Sequence, residues 1–135
     1  MYKKILVPIV IDEQHDTQAS YLVARALADK DAEFVILHVV EEIPGYISTA
    51  ISNEILQKTR EGVRKLVIQS ARALPGATAK VITGHAGRTI VDYASENGID
   101  CIVMASHQPG LEDFLLGSTA SRVVRHAKCS VHVIR

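Results

Sequence analysis

Apolar segments rich in β-branched residues alternate along the chain with stretches that have the spacing of amphipathic helices. The apolar segments predict strands at 4–10, 33–40, 78–82, 101–105 and 130–134. The helical stretches lie at 17–28, 52–74, 87–97 and 118–126. Strands that are apolar almost throughout and alternate with helices are typical of a parallel sheet covered on both faces. We therefore predict an α/β fold of the Rossmann-like or flavodoxin-like type, a doubly wound five-stranded parallel sheet of order 3-2-1-4-5 with four helices.

The helical spacing also predicts which side chains point inward. In the first helix, for which Asp16 is the candidate N-cap, these are Ala19, Leu22, Val23, Ala26 and Leu27. In the long second helix they are Ile55, Thr59, Val63, Leu66, Val67, Ser70 and Leu74, and Pro75 with Gly76 ends that helix. In the third they are Ile90, Val91 and Ala94, with Gly98 as the stop.

Composition and charge restrict the class of protein. The 135 residues suit one domain with its own core, and 47% hydrophobic with 22% charged residues is ordinary for a globular protein. Lys and Arg together number 15, as do Asp and Glu, so no net field favours nucleic acid or an anionic membrane. No apolar run approaches the roughly 20 residues that span a bilayer, and the start lacks a signal-peptide pattern. We expect a cytoplasmic protein that binds neither nucleic acid nor membrane.

Two cysteines, Cys101 and Cys129, stand in or beside apolar segments. They are too few for a disulfide framework and too far apart in sequence for a CxxC pair. We expect both to act as small buried hydrophobic residues without redox function.

The segment 102–119 is the strongest functional signal. It runs from a predicted strand through a loop of small residues to Gly117, Ser118 and Thr119, which open a predicted helix. Backbone amides, hydroxyl groups and a helix N-terminus together favour an anion such as phosphate. Ligands of doubly wound sheets bind beyond the carboxyl ends of the strands, where 8–12 and 38–41 could join this segment. Such a site, with apolar walls and a polar end, suits a nucleotide.

Several stretches resemble the universal stress protein family. They read KILVP at 4–8, LHVV at 37–40, IVMASH at 102–107, LLGS at 115–118 and VRHAKCSV at 124–131. The resemblance covers the whole chain, and its loop is similar to that of a subgroup of short members with Ala-Ser-His-x-Pro. It implies one universal stress protein domain over 1–135, a stress-response role in sensing or signalling, and a homodimer through the last strand or a tetramer. Val131, Val133 and Ile134 are the expected interface residues, since pairing would also cover an exposed edge strand.

The resemblance further implies ATP or a related adenine nucleotide as the ligand, with Mg²⁺ left open. By it, Pro8 and Ile9 border the adenine and ribose, and Val39 offers backbone polar groups to the base edge. Met104 and Ala105 flank the ribose. The complete set of expected nucleotide-binding residues is Pro8, Ile9, Val10, Asp12, Val39, Met104, Ala105, Ser106, His107, Gln108, Gly117, Ser118 and Thr119.

The chain departs from the pattern of the nucleotide-binding members, which is glycine, two residues, glycine, nine residues, then glycine and Ser or Thr. Ala105 and Gln108 stand at the first two glycine positions, and only the eight residues 109–116 precede Gly117. Val10 stands where many members have an acidic residue, and Asp12 follows two positions later. These departures favour an alternative, a nucleotide-independent stress-response dimer that acts through protein contacts.

Catalytic signals are weak. The sequence shows no paired carboxylates, no clustered metal ligands and no nucleophile with an evident base, so no catalytic or metal-binding residue is assigned. Slow ATP hydrolysis or autophosphorylation near Ser118 or Thr119 stays open. An adenylate-forming enzyme is disfavoured, because 8–13 lacks the glycines of a pyrophosphate-binding loop.

Overall fold

Strands and helices alternate along the chain in the computed structural model, which describes residues 1–11, 17–106 and 116–135. The strands are β1 (Tyr2–Pro8), β2 (Ala28–Val40), β3 (Thr78–Thr83), β4 (Cys101–Ala105) and β5 (Ser130–Ile134). The helices are α1 (Thr17–Leu27), α2 (Gly45–Ser48), α3 (Asn53–Ala71), α4 (Ala86–Glu96) and α5 (Ser118–His126). The predictions made for Asp12, Asp16, His107 and Gln108 lie outside the described residues.

The strands form one parallel sheet of order β3-β2-β1-β4-β5, which confirms the predicted topology. Ile5 of β1 stands opposite Phe34 of β2 on one side and Cys101 of β4 on the other. The direction of winding reverses at β1. In such sheets the reversal opens a crevice beyond the carboxyl ends of the central strands.

Both faces of the sheet are buried, as the apolar strands predict. Ile5 and Val7 point to the face that α1 and α3 cover, where Val67 of α3 joins them in the core. Leu6 points to the opposite face with Ile90 of α4 and Val123 of α5. Consecutive side chains of β1 thus pack into two different hydrophobic cores, one on each face of the sheet. This explains why the buried part of β1 is apolar without interruption. Within the described ranges, no helix is both long and apolar enough to cross a membrane.

The predicted inward face of α1 holds for Val23 and Leu27, which pack against the core, and is wrong for Leu22 and Ala26. Leu22, expected to be buried, is 65% exposed, and Ala26 is exposed as well. The buried residues are Ser20, Tyr21 and Ala24. The Tyr21 hydroxyl lies 2.6 Å from the hydroxyl of Ser70 on α3, so packing of the large ring and this hydrogen bond select the orientation.

Some predicted boundaries also change. A one-turn helix, α2, follows Pro44 in the long connection after β2, which makes five helices among the described residues in place of four. The first strand ends at Pro8, the second begins already at Ala28, and α3 ends at Ala71. Leu74 is buried nonetheless, in the turn that precedes Gly76. That glycine has a φ of +82°, a conformation that favours glycine.

The inward face predicted for α3 holds only in its second half. Val67 is buried and Val63 is partly buried, but Ile55 and Leu66 are 57% and 48% exposed. Thr59 is exposed too, and its hydroxyl donates to the carbonyl of Ile55. The contacts of α3 with the sheet are therefore made chiefly by its last turns. For α4, burial of Ile90 and Ala94 confirms the predicted face.

Asp100 fixes the beginning of β1 to the segment before β4. Its carboxylate accepts hydrogen bonds from the backbone amides of Lys3 and Lys4 at 2.8 and 2.9 Å, and its own amide donates to the carbonyl of Lys4. We expect Asp100→Ala to lower the free energy of unfolding by about 1–2 kcal/mol, because two charge-assisted bonds at a partly exposed position are lost. Urea denaturation followed by circular dichroism measures this. Glu96→Ala, at an exposed position of α4, is the control. Equal losses of stability in the two variants would contradict a stabilising role for the hydrogen bonds of the Asp100 carboxylate.

The cysteines differ in accessibility. Cys101 is buried, and burial raises the pKa of its thiol to about 11. Cys129 is partly exposed, with a pKa also raised by burial. Because a thiol reacts as its thiolate, we expect a disulfide reagent at pH 8 to modify Cys129 slowly and Cys101 only as the chain unfolds. Mass spectrometry of the labelled sites over time checks this, with Cys129→Ser as the control. Equal native-state rates at both thiols would contradict it.

Candidate functional site

A cleft of about 320 Å³ lies at the carboxyl ends of the central strands. Its walls come from the ends of β1, β2 and β4 and from the first turns of α4 and α5. We call it the strand-end cleft. The residues that line it are Pro8, Ile9, Val10, Leu37, His38, Val39, Glu41, Ala86, Ile90, Met104, Ala105, Ser106, Gly117, Ser118, Thr119 and Ala120.

The structure brings the predicted site residues together. Every expected nucleotide-binding residue that it describes lines this cleft: Pro8, Ile9, Val10, Val39, Met104, Ala105, Ser106, Gly117, Ser118 and Thr119. The remaining three, Asp12, His107 and Gln108, belong to the segments outside the described ranges. Residues more than 100 positions apart in sequence therefore share one cavity, because parallel strands bring their carboxyl ends to the same edge.

The floor of the cleft is apolar and buried. Ile9 and Met104 are 7% and 4% exposed. The amide of Ile9 donates to the carbonyl of Leu37 at 2.9 Å, which continues the β1–β2 pairing beyond Pro8. Nδ1 of His38 lies 3.0 Å from the carbonyl oxygen of Ile9, so the His38 ring is hydrogen-bonded to the end of β1. The ends of β1 and β2 are thereby held at a fixed separation.

The polar end of the cleft is the start of α5. Gly117 is the N-cap, with φ −61° and ψ 156°, so Ser118 is the first helical residue rather than the cap. Gly117 provides no side-chain cap, and the first turn contains no acidic residue. The amides of a first helical turn have no partner within the helix and carry a partial positive charge. An anion in the cleft can therefore accept hydrogen bonds from this turn and from the Ser118 and Thr119 hydroxyls.

Ser106, directly after β4, fixes the end of that strand beside β5. Its amide donates to the carbonyl of Ile134 at 3.0 Å, at the end of the neighbouring strand β5. A Cβ atom on Gly117 would lie 3.3 Å from the Ser106 carbonyl oxygen. Glycine at this position thus allows the start of α5 to approach the end of β4 closely.

Sequence reasoning missed the contribution of α4. Ala86 and Ile90 line the cleft, although they follow the edge strand β3. In the order β3-β2-β1-β4-β5, the helix that joins β3 to β4 must cross β2 and β1, so its first turn lies beside the end of β2. The predicted strand order was therefore sufficient to infer that the first turn of α4 lies near the cleft. Ala120, on the third residue of α5, was missed for a simpler reason, since only the residues up to Thr119 were considered.

The cleft has little charge of its own. Glu41, an exposed residue just after β2, is the only Asp, Glu, Lys or Arg among the described lining residues. In the described ranges, no group of three or more His, Cys, Asp or Glu side chains could hold a metal ion. The donors at the anion end are consequently neutral amides and hydroxyls.

Comparison with known proteins identifies the family. Residues 1–135 match the universal stress protein family. The chain belongs to this family. It is 28% identical to universal stress protein A homolog 2 of Coxiella burnetii, over 99% of this chain and 95% of that protein. The solved structure of UspA from Lactobacillus plantarum superposes with a TM-score of 0.71 at 29% identity and covers 99% of this chain and 98% of that one.

Two more distant universal stress protein structures contain nucleotides. One, from Arabidopsis thaliana with AMP bound, has a TM-score of 0.63 at 18% identity and covers 98% of this chain and 90% of that one. The other, from Archaeoglobus fulgidus in complex with dAMP, has a TM-score of 0.66 at 18% identity and covers 99% and 98%. At this identity the likeness shows the shared fold.

Proposed function

We propose that this universal stress protein binds ATP or a related adenine nucleotide in the strand-end cleft and acts in stress sensing or signalling. The observation that carries the proposal is the placement of the free first turn of α5, with Gly117 and Ser118, at one end of an otherwise apolar cleft. An anion end joined to apolar walls is the arrangement that a nucleotide requires. The AMP and dAMP complexes of proteins with the same fold support it.

The dimensions of the cleft support the same ligand. Its walls reach from β2 across β1 to β4, and neighbouring strands lie about 4.8 Å apart, so the base and phosphate ends are separated by roughly 10 Å. In the proposed arrangement the adenine lies against the apolar end of β1 with Val39 beside its edge. Met104 and Ala105 flank the ribose. Gly117, Ser118 and Thr119 hold the phosphate.

The first experiment is mass spectrometry of the small molecules that the purified protein releases on denaturation, followed by calorimetric titration with ATP, ADP and AMP. The proposal expects a co-purified adenine nucleotide or micromolar binding of at least one of the three. A protein that releases none and binds none would refute it. That result would favour the nucleotide-independent dimer, and the search would move to protein partners.

We also propose that two copies pair through β5. This strand contacts β4 on one side and, among the described elements, has no strand on the other. Val131 and Val133 lie on the α5 side of the sheet, and Ile134 lies on the opposite side. All three are only partly buried. Such an edge is normally covered or paired.

Light scattering coupled to size exclusion tests the dimer. We expect twice the mass of the chain for the parent protein and a shift towards monomer for Val133→Asp, which places a charge on the pairing strand. Ile55→Asp, at an exposed position of α3, is the matched control and is expected to keep the parent mass. A monomeric parent protein would contradict the proposed pairing.

A further inference from the structure

The stretch 62–91 is basic, although the whole chain has no formal net charge. It contains no Asp or Glu, and its cationic residues, all of them exposed, are Arg64, Lys65, Arg72, Lys80 and Arg88. The first three lie on the second half of α3 and at its C-cap, and Lys80 lies on β3, which shares a hydrophobic core with α3. The second half of α3 and β3 therefore form a region of positive charge that favours an acidic partner.

The strand β3 lies at the edge of the sheet. It pairs with β2 on one side and, among the described elements, meets no strand on the other. The amide of Gly84, directly after β3, donates to the carbonyl of Val40 at 2.8 Å. The register with β2 is regular, and the backbone groups of successive residues point alternately to the two sides of a strand. The N–H and C=O groups of Ala79, Val81 and Thr83 therefore point away from β2 and can pair with an added strand.

An apolar groove lies beside this edge, on the face of the sheet that α3 covers. Its volume is about 370 Å³, and it is lined by Ile68, Ala71, Arg72, Leu74, Pro75, Gly76, Ala77 and Ala79. Ile68 is 40% exposed, and Arg64, Lys65 and Arg72 are its neighbours one turn away on the helix surface. Lys80 points to the opposite face of the sheet, because successive side chains of a strand alternate. We call the outward edge of β3, this groove and these four cations the β3 edge surface.

We propose that the β3 edge surface binds an extended acidic segment of a partner protein, which adds a strand to the sheet. The outward backbone groups of Ala79, Val81 and Thr83 pair with the backbone of that segment. Its apolar side chains enter the groove, and its acidic side chains lie beside the cations. No residue lines both this groove and the strand-end cleft, so the interaction is separate from nucleotide binding.

Two other occupants of the β3 edge surface fit less well. A second copy of the chain would bring an equally basic edge against this one, and like charges oppose such pairing. A nucleic acid has no backbone that can pair with a strand edge, and 62–91 contains no Phe, Tyr or Trp on which bases could stack. An acidic peptide matches the outward backbone groups, the groove and the charge together.

Fluorescence anisotropy with three labelled peptides of about ten residues tests the requirements for charge and for a strand. The first peptide alternates Val and Glu, the second Val and Lys, and the third Pro and Glu. We expect micromolar binding of the first and about tenfold weaker binding of the others, because the second is repelled and the third lacks half of the backbone donors. Absence of binding for the first peptide would refute the proposal. Equal affinity of the first and third peptides would refute strand addition.

A pair of charge reversals locates the binding surface. We expect Lys80→Glu to weaken binding of the Val–Glu peptide about fivefold, because an attraction is replaced by a repulsion at an exposed position. Lys30→Glu is the matched control, since Lys30 is also an exposed strand lysine but precedes the part of β2 that pairs with β3. Thermal denaturation verifies that both variants are folded. Equal weakening by the two variants would overturn the assignment to the β3 edge surface.

Hydrogen exchange measured by NMR shows whether the bound peptide pairs with β3. With saturating Val–Glu peptide, we expect exchange at the amides of Ala79, Val81 and Thr83 to slow about tenfold. The amides of Lys80 and Ile82 already point to β2 and should change little. Peptide binding without slower exchange at the outward amides would overturn strand addition. Outward amides that exchange slowly in the protein alone, and more slowly as its concentration rises, would show a second copy at this edge and overturn the proposed partner.

Discussion

Replacing Gly117 by valine is expected to weaken nucleotide binding by about 100-fold while the chain stays folded. A Cβ at this position would lie 3.3 Å from the carbonyl oxygen of Ser106, and the two methyl groups of valine need more room still. The start of α5 must then move away from the end of β4. Its first-turn amides lose the alignment that an anion requires, and each charge-assisted hydrogen bond to a phosphate contributes about 1.5–3 kcal/mol.

The expectation that the fold survives has a separate reason. Gly117 has φ −61° and ψ 156°, an extended conformation that any residue adopts, so the substitution brings no backbone strain of its own. Isothermal titration calorimetry with AMP gives the affinity, and thermal denaturation verifies the fold. Gly62→Val is the matched control, since a Cβ on Gly62 of α3 meets nothing within 4 Å. Parent-like affinity in Gly117→Val would refute the assignment of the α5 N-terminus as the phosphate site.

Replacing Leu6 by alanine is expected to have the largest effect on stability, a loss of about 3 kcal/mol in the free energy of unfolding. Leu6 is fully buried in the central strand β1, within the core that α4 and α5 cover. Removing its isobutyl group leaves a cavity that regular strands on both sides prevent from collapsing. The side chain does not line the strand-end cleft, so ligand affinity measured on the folded fraction should stay at the parent value.

Leu22→Ala is the matched comparison because it makes the same substitution on α1. Helical spacing predicts Leu22 to be buried, whereas the structure leaves it 65% exposed. We expect a change within about 0.5 kcal/mol, as for most exposed positions. Chemical denaturation of the two variants under identical conditions decides between the two placements. A loss at Leu22 comparable to that at Leu6 would show that the α1 face predicted from the sequence is the buried one.

The candidate site was predictable to the extent that it consists of strand ends. Apolar runs identify the strands, and the carboxyl ends of parallel strands share one edge, so Pro8, Val39 and Met104 could be assigned to one cleft. The contribution of Ala86 was missed because it follows a strand at the edge of the sheet. Glu41 falls within the range 38–41 that its position after a predicted strand already assigned to this edge, and it lines the cleft.

The amino-acid sequence by itself determined the order of strands and helices, the parallel sheet and the family. The elements and the parallel sheet follow from the alternation of apolar runs with helical spacing, which is a property of neighbouring residues. The family follows from the resemblance of short motifs such as the one at 102–107. Only the tertiary structure decided which face of α1 is buried, since Tyr21 finds its partner Ser70 on another helix. It also decided the close approach of Gly117 to Ser106 and the arrival of α4 at the cleft. Each depends on packing between segments far apart in sequence, and local patterns do not encode that packing.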